Sequence, residues 1–324
     1  MLQGKELILA TKKYAVEDRA KSWRLMLSSF FLLIAGYIGA IHNFHWSLQL
    51  LCAIFAGMEV ARVFIIYHDY LHKAILQDSP VAKFIFTVFG MFILAPSTVW
   101  KRSHDYHHKH NCKLYTSSIG SFPLVTVKQF KESTKKDRRM YLFVRHPLTI
   151  AFGYVFAFLW GMSLKAIIKG SGKHWDAIFA LLFHFGISFF VFQLFGWESY
   201  VIGILLPYLI YGGLGSYLFY AQHNFPDAKY KEKGTWDYVH SSLHSSSFMD
   251  LSKVMHWFTG NIGYHHIHHI NARIPFYNLP KVYNEMVEFQ NPGVTSLSPV
   301  DMYKCLRLKF WDPDIDKMVS LREI

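Results

Sequence analysis

The sequence predicts an all-α integral membrane protein: four transmembrane helices in two hairpins, interfacial helices beside them, and a cytoplasmic cap that carries boxes of histidine. Three observations predict it. The 324 residues are 52% hydrophobic, 18% aromatic and only 17% charged, with a mean hydropathy of +0.16, too apolar for an ordinary soluble domain. Four apolar runs, 23–41, 47–67, 175–197 and 200–220, approach or exceed the roughly 20 residues a spanning helix needs. Tight groups of histidines lie just outside those runs. The formal charge of +12, from 34 Lys+Arg against 22 Asp+Glu, fits loops that face anionic lipid. No basic reading motif accompanies it, so nucleic acid is excluded as a partner. Cys52, Cys112 and Cys305 form neither a CxxC pair nor a disulfide framework.

Residues 1–22 read as a cytoplasmic arm without a signal-peptide core, basic through Lys12, Lys13, Arg19 and Lys21 with Arg24 just beyond. The first hairpin, 23–67, turns through His42, Asn43, His45 and Trp46, a stretch without Lys or Arg that faces out. Glu59 and Arg62, near the end of its second run, are expected inside the bundle or at the interface. Residues 68–146 form a cytoplasmic segment. Within it, Ser79 caps and Pro80 opens a helix, but the apolar stretch 81–96 is short for a span, so it reads as re-entrant or interfacial. The basic stretch 128–145 reads as a solvated loop.

Three apolar runs separate the second box from His223. If every box shares one side of the membrane, one of these runs cannot cross. Segment 147–174 is the odd one, because Lys165, Lys169 and Lys173 follow its apolar part; it reads as interfacial. The second hairpin, 175–220, turns at Glu198. Residues 221–324 form the cap, with amphipathic helices expected at 278–289, stopped by Asn291-Pro292-Gly293, and at 300–309 after Ser298-Pro299.

The histidines carry the chemistry. His265, His268 and His269 in HHIHH stand at i, i+3 and i+4, and so do His104, His107 and His108 in HDYHH; His68 and His72 in HDYLH give the two-residue version. On a helix these offsets share one face. With the lone His223 they make nine imidazoles, more than one metal takes and suited to two metals with open positions. His266 lies off the face of its neighbours. His110, His240, His244 and His256 are looser, and His42, His45, His146, His174 and His184 read as structural. Imidazole ligands need a partner for the second nitrogen, and Asp69 and Asp105, each directly after a boxed histidine, are the candidates. Lys101, Arg102, Lys253 and Arg273, beside the boxes, read as cations that snorkel to the interface. A histidine-rich membrane transporter or sensor of metals is the rival class. It requires ionisable groups along the spanning runs, and here the boxes stand outside them.

HDYLH, HDYHH and HHIHH in this order, with FYAQHNF and WDYVHSSLHSSSFMDLSKVMHWFTGNIGYHHIHHINARIPFYNL following the second hairpin, resemble the membrane fatty acid desaturase/hydroxylase superfamily. The text is most similar to bacterial and plant omega-6 (delta-12) acyl-lipid desaturases. The resemblance covers roughly residues 30–290. It implies two iron ions, dioxygen as co-substrate, a fatty acyl lipid or acyl carrier as substrate, and His68, His72, His104, His107, His108, His223, His265, His268 and His269 as metal ligands. It implies a multi-pass protein of a bacterial inner membrane with the boxes facing the cytoplasm. An acyl hydroxylase on the same scaffold is the alternative outcome. One position departs from the pattern: relatives place Asn four residues before the lone histidine, where this chain has Phe219. That leaves Asn261 or Asn224 as substitutes. Arg145-His146-Pro147-Leu148 does not match a haem-binding HPGG, so electrons are expected from a separate carrier such as a ferredoxin.

Overall fold

The computed structural model describes residues 2–42, 45–114, 122–170, 174–232 and 234–324. Asn43 of the first predicted turn, Lys173, and residues 115–121 of the cytoplasmic segment lie outside the described residues. Helix α1 (Gly4–Ala10) opens the chain. Helix α2 (Arg19–Ile41) starts where the Asp18 carboxylate accepts the Lys21 amide. It packs along α3 (Trp46–Leu71) through a stripe of Ser22, Met26, Ser29, Leu33, Gly36 and Ala40. Small residues at this spacing let two backbones approach. Glu59 and Arg62 are buried as expected, and Arg62 Nε donates to Ser29 Oγ at 2.9 Å. Helix α3 continues past the predicted end of its run, so His68 sits on its last turn and His72 caps it.

Ser79 and Pro80 open α4 (Pro80–Phe92) as the sequence predicts. A 90° bend then leads into α5 (Ser97–Lys109). Tyr67 Oη holds the bend by donating to the Ala95 carbonyl at 2.9 Å, and the Tyr208 and Tyr211 hydroxyls donate to the Phe92 and Ile93 carbonyls. The excursion leaves beside His68 and returns with His104 Nε2 2.8 Å from His68 Nε2. Its two ends therefore meet.

The stretch 128–145 is not a solvated loop. It forms α6 (Val127–Glu132), closed by a Thr126/Gln129 capping box, and α7 (Lys135–Val144), capped by Thr134. Arg145 is then buried, donating to the Pro123 carbonyl at 2.7 Å, to Tyr220 Oη at 3.2 Å and to Asn224 Oδ1. Next come α8 (Pro147–Ala151), a π-helical stretch (Tyr154–Leu164) and α9 (Lys165–Lys169). This segment presses on the last apolar helix so closely that a Cβ on Gly153 would lie 2.2 Å from the Gly212 carbonyl oxygen.

Asp176, in the first turn of α10 (Trp175–Tyr200), ties that helix to α5 by accepting the Thr98 amide at 2.9 Å. Helix α10, a π-helical stretch (Val201–Leu205) and α11 (Leu206–Ala221) form one apolar run, Trp175–Ala221. The run reverses at Gly196, whose φ of +84° and ψ of 178° suit glycine alone. His184 and Tyr208 lie equally far on either side of Gly196, yet their rings are 4.6 Å apart. A straight helix would separate them by about 36 Å. The turn thus falls at Gly196 rather than Glu198. Among the described residues, Arg19–Ile41, Trp46–Leu71 and Trp175–Ala221 are long and apolar enough to cross a membrane.

The C-terminal part corrects the all-α expectation. It holds α12 (Tyr238–His244), β1 (Phe248–Asp250), α13 (Lys253–Phe258), α14 (His265–Ile270), α15 (Leu279–Glu285), β2 (Val294–Ser296), α16 (Pro299–Arg307), β3 (Leu308–Asp312) and β4 (Lys317–Ser320). Strand β1 pairs in parallel with β2, and β3 pairs antiparallel with β4. The helix expected at 278–289 breaks at Met286, which is extended. The one expected at 300–309 yields at Leu308, because Leu308 to Trp311 are all buried; a helix facing solvent on one side cannot bury four residues in a row.

Candidate metal centre

The last turn of α3, the inner face of α5, the residue two past α11, and α14 bring nine imidazoles together. His68, His72, His104, His108 and His268 form one group, and His107, His223, His265 and His269 a second; within each, the ring nitrogens lie within 4.8 Å of one another. Every one of the nine directs Nε2 inward. Nε2-to-Nε2 separations are 2.8 Å (His68 to His104), 3.2 Å (His72 to His68), 3.1 Å (His108 to His104) and 3.0 Å (His268 to His108) in the first group. In the second they are 3.2 Å (His107 to both His269 and His223), 2.9 Å (His265 to His223) and 3.0 Å (His269 to His265). The groups adjoin where His108 and His269 stack at 4.4 Å.

Burial, and then neighbouring imidazoles, holds His72, His104, His107, His108, His265, His268 and His269 well below the ordinary histidine pKa. Burial pushes His223 down to about 4. These rings are therefore neutral at pH 7, each with one N–H and one lone pair. Among the described residues, the buried Nδ1 atoms of His104, His107, His108, His265, His268 and His269 have no hydrogen-bond partner. Protons on Nδ1 leave the Nε2 lone pairs converging on one another, an arrangement that a cation between them stabilises. With metal–nitrogen bonds of about 2.0–2.1 Å, ligands at right angles lie about 3.0 Å apart, which matches the separations above. The donor set, all imidazole, suits a transition metal and not Mg or Ca.

Of the two aspartates, Asp69 reaches the site. Its Oδ1 lies 3.2 Å from His68 Nδ1, and its Oδ2 accepts the Phe276 amide at 2.6 Å. Asp105 instead pairs with Lys101 Nζ at 2.8 Å on a half-exposed surface. Asn261 donates to the Phe276 carbonyl, and Asn224 to the Cys305 and Leu308 carbonyls while accepting from Arg145; neither turns its amide to an imidazole. Phe219 lies on Trp100, which stacks on His104 at 4.7 Å and 14°. His223 Nδ1 faces the Ser245 carbonyl at 3.1 Å and Cys112 Sγ at 3.2 Å, contacts that no spacing in the sequence announces. His266 points away, to the Phe289 carbonyl at 3.1 Å. His184 meets Tyr154 Oη at 2.7 Å, and His110 its own helix at the Tyr106 carbonyl.

A narrow apolar cavity touches both groups. His68, His104, His107 and His265, with Gln222 and Thr259, form its polar end, and Phe64, Phe158, Tyr211, Gly215, Leu218 and Ile262 are among the residues that line the remainder.

A largely helical chain with spanning-length apolar helices and two convergent histidine groups able to hold metal defines a class of membrane-associated metalloenzyme. The fatty acid desaturase family profile matches residues 44–298, and the chain belongs to that family of oxidoreductases. It is 28% identical to a fatty acid desaturase of Bacillus subtilis over 86% of this chain and 78% of that protein. It is 22% identical to the sn-1 oleoyl-lipid 12-desaturase of Synechocystis over 90% and 83%, and 24% identical to a chloroplastic omega-6 fatty acid desaturase of Glycine max over 84% and 63%.

Proposed function

We propose that the protein is a dioxygen-dependent di-iron desaturase that places a cis double bond in the acyl chain of a membrane lipid, at the delta-12 or omega-6 position as the names of its relatives suggest. The observation that carries this reading is the apolar cavity whose polar end includes imidazoles from both groups. The five and four histidines would each hold one iron. When bound, the irons would supply, with dioxygen, the oxidising power to remove two hydrogens from adjacent methylenes. The chain's own residues do the rest. Asp69 fixes the ring of His68 and keeps its proton on Nδ1. Phe64, Phe158 and Leu218, which line the cavity, would shield bound methylenes from water and orient them toward the imidazoles.

The same reading supplies a topology. Both ends of the 73–103 excursion meet at one histidine group, which favours a re-entrant segment. Arg145, before the 147–169 segment, bonds to Tyr220, and His174, after it, bonds to Thr98. Both ends thus adjoin histidine-bearing elements, which favours an interfacial course. These contacts support a reading of four spans in two hairpins, and the basic N-terminal arm supports a cytoplasmic face for the boxes.

Expression in a host without polyunsaturated lipids tests the proposal. A new double bond, located by gas chromatography and mass spectrometry, is expected, and His268→Ala abolishes it while the protein stays in the membrane. A hydroxylated chain without an alkene, or purified protein that carries zinc when made with ample iron, overturns the reading.

A further inference from the structure

Helix α5 has two faces. His104, His107 and His108 are buried toward the metal centre, while Arg102, Tyr106 and Lys109 are exposed on the opposite side at i, i+4 and i+7. One helix, about 10–12 Å across with its side chains, separates that outer surface from the imidazoles. His72 meets α5 at His104 and His108, with ring centres 4.9 and 4.5 Å apart, and of the nine imidazoles it is the one that is only partly buried. Its exposed neighbour is Lys73, and Lys101 Nζ lies 3.4 Å from the Leu71 carbonyl. Among the described residues the acids nearby are Asp105, paired with Lys101, Glu17, paired with Arg19 at 3.8 Å, Asp176, buried against Thr98, and the exposed Asp78. Arg102 Nη1 lies 3.3 Å from His174 Nε2. Lys73, Lys101, Arg102 and Lys109 therefore outweigh the acids, and Tyr106, 41% exposed and stacked on His110 at 4.1 Å, adds an aromatic contact among them. A basic rim around an exposed aromatic is what an acidic protein partner meets with complementary charge.

The reaction proposed above requires an outside source of electrons. Reducing dioxygen to two waters takes four electrons and four protons. The substrate supplies two of each as its C–H bonds break and the alkene forms. Two further electrons come from outside, with two protons from solvent. We propose that the outer face of α5, from Lys73 and His72 to Lys109, is the docking surface for an acidic one-electron carrier protein. This rests on the desaturase reading for its purpose, but the contact itself is measurable without turnover.

The test uses the full chain in nanodiscs of zwitterionic lipid and a plant-type [2Fe–2S] ferredoxin as probe. Binding is read by surface plasmon resonance, and turnover by its dependence on carrier concentration. In an R102E/K109E variant, carrier affinity is expected to fall about tenfold or more and the salt dependence of binding to flatten. The KM for carrier rises while kcat at saturating carrier stays. K135E/K136E on α7, a basic surface elsewhere, leaves both unchanged. Unaltered ferredoxin affinity in R102E/K109E overturns the proposal, as does equal loss in the α7 variant. It is also overturned if R102E/K109E changes carrier affinity only when the nanodisc contains anionic lipid and not in zwitterionic lipid, since the face would then serve the membrane. If binding follows the charges but no alkene forms in any host, the docking surface stands and the desaturase reading fails.

Discussion

Asp69 and Asp105 hold the same place in their boxes, one residue after a histidine, and the fold gives them different work. Asp69 joins His68 to the Phe276 amide, whereas Asp105 faces Lys101 at the surface. Removing a group that orients a metal ligand costs about 10–100-fold in metal affinity or activity. Asp69→Asn is therefore expected to lose iron to a competing chelator about 10-fold more readily or worse, with Asp105→Asn indistinguishable from the parent. Iron per chain after graded chelator exposure checks both. The imidazoles also set a pH dependence. Their folded-state pKa values lie below the ordinary value, chiefly through burial, so the unfolded chain binds more protons once the pH falls below about 6.5. Stability of the metal-free protein is expected to be level above about pH 7.5 and to decline as pH drops through about 6.5, read as the melting midpoint in detergent across that range. The grouping of the eight boxed histidines was legible because offsets of three and four share one face of a helix, whereas the lone His223 has no such spacing. The roles of the two aspartates were not legible, since which carboxylate meets a ring depends on the Phe276 loop some 200 residues away.

At the level of elements, the long apolar helices and the Ser79-Pro80 start were readable because hydropathy and capping are local signals. The reversal at Gly196 was placed two residues late, since a lone charge at Glu198 marks a turn less sharply than a glycine held at positive φ. Gly196→Ala is expected to cost about 1–3 kcal/mol, measurable as a lowered melting temperature in detergent. Gly153 and Gly212 matter for a different reason, the closeness of the π-helical segment to α11. Gly153→Leu is expected to separate these elements and to diminish activity together with stability, since Phe158 and Tyr211, which line the cavity, lie on them and touch with ring centres 4.9 Å apart. Residues that line the cavity carry no signature in the sequence, because an apolar side chain facing a substrate looks like any other core residue. The short strands were missed for a related reason: pieces of three to five residues are too short to express a period.

Across the whole molecule, the N-terminal arm lies against the C-terminal part. Tyr14 Oη donates to Glu285 at 2.9 Å, and Asn271 Nδ2 to Thr11 Oγ1 at 3.0 Å, while Leu7 and Tyr14 pack with Ile267, Ile270 and Val282. Reporter fusions at the two ends are therefore expected to report the same, cytoplasmic side. Opposite sides would refute the four-span arrangement. That the boxes share one side is the premise of the parity argument from the sequence, and the contact between the two ends was not legible at all, since nothing in the arm's composition names its neighbour.

The distance along the chain between His72 and His268, members of one group, also fixes a chronology. At roughly 5–20 residues per second on the ribosome, the earliest imidazoles are made some tens of seconds before their last partners, and neither pocket is complete until α14 has been translated. On the di-iron reading, metal delivery is thus the closing act of biogenesis, and a nascent chain halted before His265 would hold neither group complete.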